Sequence, residues 1–398
     1  MFNTPKANRL HISIFGKRNA GKSSLINALT NQPISVVSET PGTTTDPVSK
    51  AMELLPLGPI VIIDTAGLDD VGDLGKLRVE KTKEVIDKTD LAVLVFSASD
   101  NDIENEKMWF KDLKDKNIPI IGVINKIDLG KPNLQLLQTE FDIPFVEVSS
   151  TYKTNITGFK QALINNAPID FEMPTILGDI VNPKDTVVLV APQDIQAPKG
   201  RLILPQVQII RDILDNDGMA LTVKDTELCD ILDSLKEEPS LVITDSQMFK
   251  KVNEIVPSHL RLTSFSILMA RYKGDLELFV KGAKAINDLK PGDNVLIAEA
   301  CTHHALKGDI AREKLPLLLE KKVGGKLNIV NVAGVDFPKN LSDFKLIIHC
   351  GSCMFTRRQL LSRLEYVKEQ EVPITNFGVA LAELNGILDR ACNFLIKG

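Results

Sequence analysis

Residues 16–23 read GKRNAGKS and fit the pattern GxxxxGK[ST], which restricts the fold of this chain more than any other feature. The pattern needs a loop whose backbone N–H groups face phosphates, between a buried strand and the first turn of a helix. The apolar run His11–Phe15 predicts the strand, and Ser24–Thr30 predicts the helix, whose N-terminus also favours an anion. In this motif Lys22 reaches the β- and γ-phosphates and the Ser23 hydroxyl holds Mg²⁺. The string alone does not choose between ATP and other nucleotides.

Four further segments follow in chain order and indicate which base the nucleotide carries. They are Pro41-Gly42-Thr43-Thr44-Thr45-Asp46, Asp64-Thr65-Ala66-Gly67, Asn125-Lys126-Ile127-Asp128 and Ser149-Ser150-Thr151. An aspartate at the place of Asp128 can accept hydrogen bonds from N1 and N2 of guanine, whereas adenine lacks this pair of donors. Adenine would leave the carboxylate unpaired, so the discrimination is steep. Five ordered segments therefore predict a GTPase that binds GTP and GDP.

The motifs also predict roles within the nucleotide site. Ser23 and Thr44 are the predicted Mg²⁺ ligands, and Asp64 is expected to hold the ion through water. The Gly67 N–H is expected to meet the γ-phosphate. The water-positioning residue stays unassigned, because Leu68 stands where Ras-like enzymes carry a glutamine. The catalytic candidates are Lys22, Thr44 and Gly67. The predicted nucleotide-binding residues are Asn19, Ala20, Gly21, Lys22, Ser23, Ser24, Thr44, Asp64, Gly67, Asn125, Lys126, Asp128, Ser149 and Ser150.

The first part of the chain resembles the branch of GTPases that contains the tRNA-modification GTPase and Era. Asn19 inside the phosphate loop and the string Pro-Gly-Thr-Thr-x-Asp at residues 41–46 carry the resemblance. In that branch the corresponding asparagine helps to bind a potassium ion beside the phosphates, in place of an arginine finger. The resemblance therefore implies potassium-stimulated hydrolysis, with Asn19 as the potassium-binding residue.

Composition limits the class of protein. The chain has 398 residues, 43% of them hydrophobic and 25% charged, which is typical of a globular protein with two or three domains. A net charge of −5 argues against a dominant nucleic-acid-binding face. No apolar run approaches the ~18 residues that a membrane span needs, and the N-terminal residues lack the core of a signal peptide. We therefore expect a cytoplasmic protein that binds neither nucleic acid nor membrane.

Alternating strand-like and helix-like segments predict an α/β protein with three domains. Residues 1–170 are predicted as a P-loop GTPase domain with a doubly wound sheet. A polar stretch around Pro174 and Pro183 marks the next boundary. Residues 178–266 form a second α/β block without a catalytic constellation, for which docking or dimerisation is the favoured role. Residues 267–398 form a third α/β block.

Apolar runs and helical periodicity place the individual elements. Strands are predicted at His11–Phe15, Ile60–Ile63, Pro119–Ile124, Pro144–Val148, Thr186–Ala191, Ala220–Val223, Leu241–Thr244, Arg261–Thr263, Asn294–Ala298, Lys326–Val332 and Phe344–Ile348. Helices are predicted at Ser24–Thr30, Leu77–Thr89, Glu104–Lys116, Thr157–Ile164, Gln206–Leu214, Glu227–Lys236, Met248–Ile255, Phe265–Leu289, Thr356–Glu369 and Val379–Phe394.

Three of the five cysteines lie close together in the third block. The pattern is Cys301-x-His303, followed later by His349-Cys350-x-x-Cys353. Strands predicted at Asn294–Ala298 and Phe344–Ile348 lead into these segments, so the cysteines are expected at the carboxyl ends of parallel strands, where open sheets place ligands. Zinc in a Cys₃His site and a 4Fe–4S cluster with a non-cysteine fourth ligand both fit this donor set. Cys229 and Cys392 lie in helix-like patterns and are predicted as core thiols.

Taken together, the GTPase motifs, the featureless middle block and the C-terminal CxH…HCxxC pattern resemble the GTPase maturation factors of FeFe hydrogenases, the HydF family. The resemblance covers the whole chain. It implies a homodimer formed through the middle block, and a 4Fe–4S cluster bound by three cysteines and one exchangeable ligand in the C-terminal domain. The implied cysteines are Cys301, Cys350 and Cys353, and the candidates for the fourth ligand are His303, His349, Glu299 or a solvent molecule.

The same resemblance implies a role and partners. A precursor of the diiron subcluster, bearing CO, CN⁻ and a dithiolate bridge, would be held on the protein and handed on. The partners would be two radical-SAM maturases and the FeFe-hydrogenase apoprotein, and GTP would switch partner exchange. Two rival hypotheses stay open: a ribosome- or tRNA-associated GTPase with a structural zinc module, and a metal-sensing or metal-delivery protein in which the nucleotide is only structural.

Overall fold

The computed structural model describes residues 6–30, 48–65, 83–100, 102–131, 133–168, 175–192, 202–300, 309–334, 336–353 and 355–396. The chain divides into two compact units, Met1–Glu172 and Met173–Gly398. Several predicted segments lie outside the described residues: Pro41–Asp46, Ala66-Gly67, Cys301–His303 and the first part of the helix predicted at Leu77–Thr89.

The first unit contains one six-stranded sheet. Its strands are β1 (Leu10–Phe15), β2 (Val48–Leu54), β3 (Gly58–Asp64), β4 (Leu91–Ser97), β5 (Ile120–Asn125) and β6 (Phe145–Glu147), and its helices include α1 (Lys22–Thr30), α2 (Glu104–Asp115), α3 (Leu134–Glu140) and α4 (Ile156–Asn166). The strand order is β2-β3-β1-β4-β5-β6, in which β2 runs antiparallel to β3 and the other pairs are parallel.

Helices cover both faces of this sheet, because its central strands are apolar on both sides. In β4, Val93 and Val95 pack into one buried cluster with α1 and α4. The alternate residues Leu94 and Phe96 pack into a second cluster with α2 and α3. The predicted doubly wound sheet is therefore confirmed. The carboxyl ends of β1, β3 and β5 meet at one edge, where the predicted loops begin.

The second unit contains two parallel four-stranded sheets. The middle sheet has β7 (Thr186–Val190), β8 (Met219–Val223), β9 (Leu241–Thr244) and β10 (Leu262–Ser264) in the order β10-β9-β7-β8. The C-terminal sheet has β11 (Asn294–Glu299), β12 (Asn328–Ala333), β13 (Leu346–His349) and β14 (Ile374–Asn376) in the order β12-β11-β13-β14.

Helices surround both sheets and join them. They are α5 (Leu204–Asp215), α6 (Leu228–Ser234), α7 (Phe249–Ile255), α8 (Phe265–Lys273), α9 (Leu276–Lys284), α10 (Leu315–Val323), α11 (Arg357–Glu369), α12 (Phe377–Leu384) and α13 (Leu388–Ile396). One buried cluster includes Val187 and Leu189 of the middle sheet together with Val295 and Ile297 of the C-terminal sheet. The two predicted α/β blocks therefore share a core, and the boundary between residues 266 and 267 stays a prediction.

Two predicted helices are each broken in the structure. The helix predicted at Phe265–Leu289 ends at Lys273, and a new one starts where the Asp275 side chain caps the N–H of Leu278. The helix predicted at Val379–Phe394 is interrupted at Gly386, whose φ of 70° is left-handed. Both predictions were wrong because apolar periodicity continues across a short turn that caps the two helices.

Among the described residues, no helix is both long enough and apolar enough to cross a bilayer.

The packing of α9 on β14 gives a stability test. A Cβ at Gly282 would lie 1.9 Å from the backbone oxygen of Ile374, so the helix must move if a side chain is added. We expect Gly282→Ala to lower the free energy of unfolding by about 2–3 kcal/mol, as overpacked cores do. Urea unfolding followed by circular dichroism measures this. Lys281→Ala, one residue earlier and exposed, is the control and should change the free energy by less than about 0.5 kcal/mol. Equal unfolding midpoints for the two variants would contradict the close packing.

Candidate functional sites: a phosphate loop and a cysteine loop

Residues 16–23 form the turn between β1 and α1, and their backbone requires glycine twice. Gly16 has φ 153° and Gly21 has φ 92°. A Cβ at Gly16 would lie 2.5 Å from the backbone oxygen of Val95, and one at Gly21 would lie 2.3 Å from Nδ2 of Asn125. The loop therefore passes close to β4 and β5, with no room for side chains at these two positions.

Lys22 lies inside this loop. Its ammonium group donates to the backbone oxygens of Gly16 at 2.6 Å and Lys17 at 2.8 Å. The residue is only 7% exposed. A buried ammonium held by carbonyl groups can exchange one of them for a phosphate oxygen, which is a stronger, charge-assisted partner.

Ser23 and Asp64 meet at the edge of the sheet. The Ser23 hydroxyl donates to Oδ2 of Asp64 at 2.6 Å. The parallel pairing of β1 and β3, which sets Ile14 opposite Asp64, brings the carboxylate to the start of α1. Burial raises the pKa of the Asp64 carboxyl, while the Ser23 hydroxyl and the Lys22 charge act in the opposite direction. These two oxygen donors fit the ligand preference of Mg²⁺. The third predicted donor, Thr44, lies outside the described residues.

Asn125 ties the phosphate loop to the loop after β6. Its Nδ2 donates to the backbone oxygens of Ala20 at 3.1 Å and Gly21 at 3.4 Å. Its Oδ1 accepts from the N–H of Ser150 at 3.1 Å and from the Ser150 hydroxyl at 2.9 Å. The side chain is 1% exposed. Both ends of the amide are therefore satisfied, and three predicted segments are joined through one residue.

The predicted base-reading segment lies beside this junction. Asp128 is exposed, and its carboxylate accepts a hydrogen bond from the Ser149 hydroxyl. The Ser149 oxygen in turn accepts the N–H of Tyr152 at 3.2 Å. The preceding Lys126 has a left-handed φ of 62°. The structure thus brings the described nucleotide-site residues to one edge of the sheet, with the exposed Asn19 at φ 61° in the phosphate loop. Gly67 lies outside the described residues.

An acidic cluster that the sequence motifs do not predict lies beside the phosphate loop. The Lys17 ammonium lies 2.8 Å from Oδ2 of Asp102 and 3.3 Å from Oδ2 of Asp100. Its backbone N–H donates to Oε1 of the buried Glu106 at 3.4 Å. These residues line a cavity of about 220 Å³ that also borders Asn19. Position 17 is variable in the motif, so only the three-dimensional arrangement reveals this contact.

The second candidate site lies between β13 and α11, and we call its described residues, 350–353 and 355, the cysteine loop. The loop begins at the switch point of the sheet: β11 and β13 are neighbours, but β12 lies beyond β11 on one side and β14 beyond β13 on the other. Open α/β sheets usually bind ligands at this point. The Cys350 N–H donates to the Ala298 oxygen at 2.9 Å. Its Sγ accepts the N–H groups of Ala300 at 3.0 Å and Ser352 at 3.4 Å. Cys353 follows three residues later.

His349 is fully buried under this loop, and both of its ring nitrogens have partners. Nε2 lies 2.9 Å from Nη1 of Arg363, which is a donor. Nδ1 lies 3.0 Å from the Cys350 oxygen and 3.1 Å from the Ser352 hydroxyl. Burial lowers the pKa of His349 to about 3, and the Arg363 charge acts in the same direction. The imidazole is therefore neutral, and binding a metal would require it to give up one of these contacts.

The described residues give a partial fit to a metal centre. Among them, no three His, Cys, Asp or Glu side chains converge. Cys301 and His303 lie outside the described residues. Glu299 ends β11, is 3% exposed and lies 3.4 Å from Nη2 of Arg312. The two N–H bonds to Cys350 Sγ stabilise a thiolate and are the outer-shell contacts that metal-binding sulfurs usually have. The cysteine loop therefore fits a thiolate-bound metal centre as far as it is described.

The remaining two cysteines differ from each other. Cys392 is buried, and burial raises the pKa of its thiol to about 12, as expected for a core residue. Cys229 is exposed, so the prediction of a core thiol there was wrong. It lies in α6, where the adjacent Leu228 is buried and Cys229 is not.

The phosphate loop and its sheet define a P-loop GTPase domain, followed by two further α/β domains. Models of three protein domains match the chain accordingly: a 50S ribosome-binding GTPase at residues 11–126, the hydrogen maturase F dimerization domain at 176–274 and the hydrogen maturase F tetramerization domain at 277–394. The last two describe one family and together match more than half of the chain. The chain belongs to the hydrogen maturase F family.

Curated relatives match 38–39% of the chain. The tRNA modification GTPase MnmE of Thermoanaerobacter sp. (strain X514) is 37% identical over 159 residues, which are 39% of this chain and 34% of that protein. MnmE of Desulforamulus reducens is 33% identical over 156 residues, 38% of this chain and 33% of that protein. The chain thus spans about a third of the length of these relatives.

Solved structures give only a distant likeness. An Era variant from Aquifex aeolicus bound to GDP·AlF4⁻ is 17% identical with a TM-score of 0.37, covering 90% of this chain and 97% of that chain. A probable GTP-binding protein engB is 21% identical with a TM-score of 0.33, covering 39% of this chain and 98% of that chain. Such scores carry no argument for function.

Asn125 provides a test of how the nucleotide site is held together. We expect Asn125→Ala to weaken GTP binding ~10- to 100-fold, because the loop carbonyls and Ser150 lose a buried partner at a cost of about 1–3 kcal/mol. Titration with a fluorescent GTP analogue measures the effect. Asn165→Ala, on the exposed side of α4, removes an asparagine without touching the site and should bind GTP as the wild type does. An Asn125→Ala protein with wild-type affinity would show that the junction does not position the loops.

Proposed function

We propose that this protein is a GTP-hydrolysing scaffold that carries an iron–sulfur centre and passes a diiron subcluster precursor to FeFe hydrogenase. The observation that carries the proposal is the combination in one chain of a formed phosphate loop with the two hydrogen maturase F domains. The partners proposed on the same basis are the radical-SAM maturases and the hydrogenase apoprotein, and the proposed location is the cytoplasm.

The GTPase part of the proposal rests on the contacts of the phosphate loop. Lys22 is expected to move from the Gly16 and Lys17 oxygens to the β- and γ-phosphates. Ser23 and Asp64, which already meet, would hold Mg²⁺ directly and through water. Asp128, beside Ser149, would read the guanine edge.

Potassium stimulation is proposed from Asn19, whose exposed side chain stands in the phosphate loop at a left-handed φ. Thr44 and Gly67 complete the proposed switch, and together with Lys22 they stay the catalytic candidates. A potassium ion beside the phosphates would supply the positive charge that other GTPases obtain from arginine.

The cluster part of the proposal rests on the cysteine loop and on the family. Cys350 and Cys353 lie at the switch point of the C-terminal sheet, and Cys301 stands two residues after the end of β11 in the sequence. These three cysteines would hold a 4Fe–4S cluster, which when bound supplies one iron with an exchangeable ligand. As a fourth ligand, His349 would give up one of its ring contacts and Glu299 its contact with Arg312, and His303 and a solvent molecule stay candidates as well.

Homodimerisation is proposed through the middle sheet. β8 is a terminal strand of that sheet, and Met219 at its start is 50% exposed. Val207 and Leu214 on α5 are 48% and 54% exposed. An edge strand flanked by exposed apolar side chains is a suitable surface for pairing with a second copy across a two-fold axis. The name of the domain model that matches residues 176–274 supports the same assignment.

The rival function, a ribosome- or tRNA-associated GTPase with a zinc module, has weaker support. Its curated relatives match less than half of this chain. A net charge of −5 does not favour binding to a polyanion.

A pair of substitutions tests whether the chain holds two separate activities. Lys22→Ala should weaken GTP binding at least ~10-fold, since a hydrogen bond to a charged group contributes about 1.5–3 kcal/mol. It should leave the visible absorbance of the anaerobically reconstituted protein unchanged. Cys353→Ser should do the reverse. Colourless wild-type protein containing one zinc ion, with GTP turnover intact, would contradict the cluster proposal and favour the zinc module.

A third variant tests the dimer. Met219→Lys would place an unpaired charge in the interface, which costs at least about 3 kcal/mol and weakens association ~100-fold. Sedimentation equilibrium measures the change. Leu55→Lys, at a position 74% exposed in the first unit, is the matched control. Unchanged association of the Met219→Lys protein would exclude the β8 edge as the contact.

A further inference from the structure

A buried lysine from outside the cysteine pattern holds the cysteine loop. Lys273 is the last residue of α8 and is 2% exposed. Its ammonium group donates to the backbone oxygens of Ser352 at 3.3 Å, Cys353 at 3.4 Å and Phe355 at 3.0 Å. An ammonium has three N–H donors, so the loop takes all of them.

The charge of this lysine has no anionic partner in the described part of the chain. All three acceptors are neutral carbonyls, and the described residues place no carboxylate within ion-pair distance of Lys273. Burial lowers its pKa to about 8, while Cys353 and Cys350 act in the opposite direction. A buried cation is unfavourable unless an anion compensates it. Among the described groups, those that act on this charge are the two thiols of the loop, Cys353 and Cys350.

We propose that Lys273 is a positioning residue for the centre bound at the cysteine loop: it holds the backbone oxygens of Ser352, Cys353 and Phe355 and offsets the negative charge of metal-bound thiolates. This inference rests on the proposed function. It assigns Lys273 to the metal centre rather than to the fold, although α8 lies in the part of the chain matched by the dimerization domain model.

If Lys273 has this role, removing its charge should have little effect on the stability of the metal-free protein but should change the reduction equilibrium of the loaded protein. Without the centre, removing the buried and uncompensated charge offsets the loss of its three hydrogen bonds, so a neutral side chain of similar shape should be tolerated. With the centre, the same cation favours the more negative, reduced state. Removing the charge should therefore make the centre harder to reduce, whereas a residue that only supports the fold would not change the reduction equilibrium.

The experiment uses the full chain, reconstituted anaerobically with iron and sulfide. Lys273→Met removes the charge and keeps the length, and Lys273→Arg keeps the charge. Lys281→Met, at an exposed position of α9, is the control for loss of a lysine. We expect the Lys273→Met protein to show a tenfold lower ratio of reduced to oxidised centre at a fixed potential, which is ~59 mV for one electron. Lys273→Arg should restore most of the ratio, and Lys281→Met should equal the wild type.

Thermal unfolding of the metal-free proteins is measured beside the potential. The Lys273→Met protein should melt no lower than the Lys281→Met protein. A lower melting temperature or an unfolded metal-free variant would overturn the inference, since Lys273 would then be a residue of the fold. An unchanged potential in a loaded Lys273→Met protein would overturn it as well. Failure of the wild type itself to take up iron and sulfide is a different result, and it would remove the proposed function together with this inference.

Discussion

Parallel pairing of neighbouring strands fixes both candidate sites. When two strands run in the same direction, their carboxyl ends and the loops that follow lie at one edge. In the first unit, the pairing of β1 with β3 brings Asp64 to Ser23. In the C-terminal sheet, the pairing of β11 with β13 brings Ala300 to Cys350, whose sulfur accepts the Ala300 N–H at 3.0 Å. Residues far apart in the sequence thus become neighbours through backbone hydrogen bonds alone.

Buried polar side chains then hold the loops at these edges in one arrangement. Asn125 is buried, so its side-chain amide would destabilise the fold if either its oxygen or its nitrogen were unpaired. Its bonds to Ala20 and Ser150 therefore select one arrangement of the two loops. His349 does the same under the cysteine loop, with Arg363 on one side and Ser352 on the other. In both sites a satisfied buried side chain restricts the loops before any ligand arrives.

The sequence predicted what depends on local patterns. Buried parallel strands are continuous apolar runs, so Leu241–Thr244 was predicted to the residue and the other predicted strands within about two residues. β2 was not predicted, because it is a mostly exposed edge strand without such a run. β4 carries the same apolar signal as β1 but was missing from the predicted set. Motif residues were recognisable because their chemistry needs fixed spacings.

What could not be predicted depends on contacts between distant segments. Nothing in the sequence distinguishes Lys273 from the exposed lysines of neighbouring helices, since burial is decided by how α8 packs. The same holds for Lys17, whose acidic partners Asp100 and Asp102 follow β4. Cys229 was predicted to be buried and is exposed, because a helical pattern does not say which side of a short helix faces the core.

The position of Lys273 has a consequence for how the second unit works. α8 packs against α5, on which the exposed residues proposed for the dimer contact lie, and also against α11, which follows the cysteine loop. Two residues before Lys273, Arg271 binds the Asp179 carboxylate and the Ile176 oxygen ahead of the middle sheet. One rigid helix therefore connects the proposed interface to the backbone oxygens of Ser352, Cys353 and Phe355. Because packed helices resist small deformations, a change at the dimer contact that displaces α8 must also displace the carbonyls that Lys273 holds.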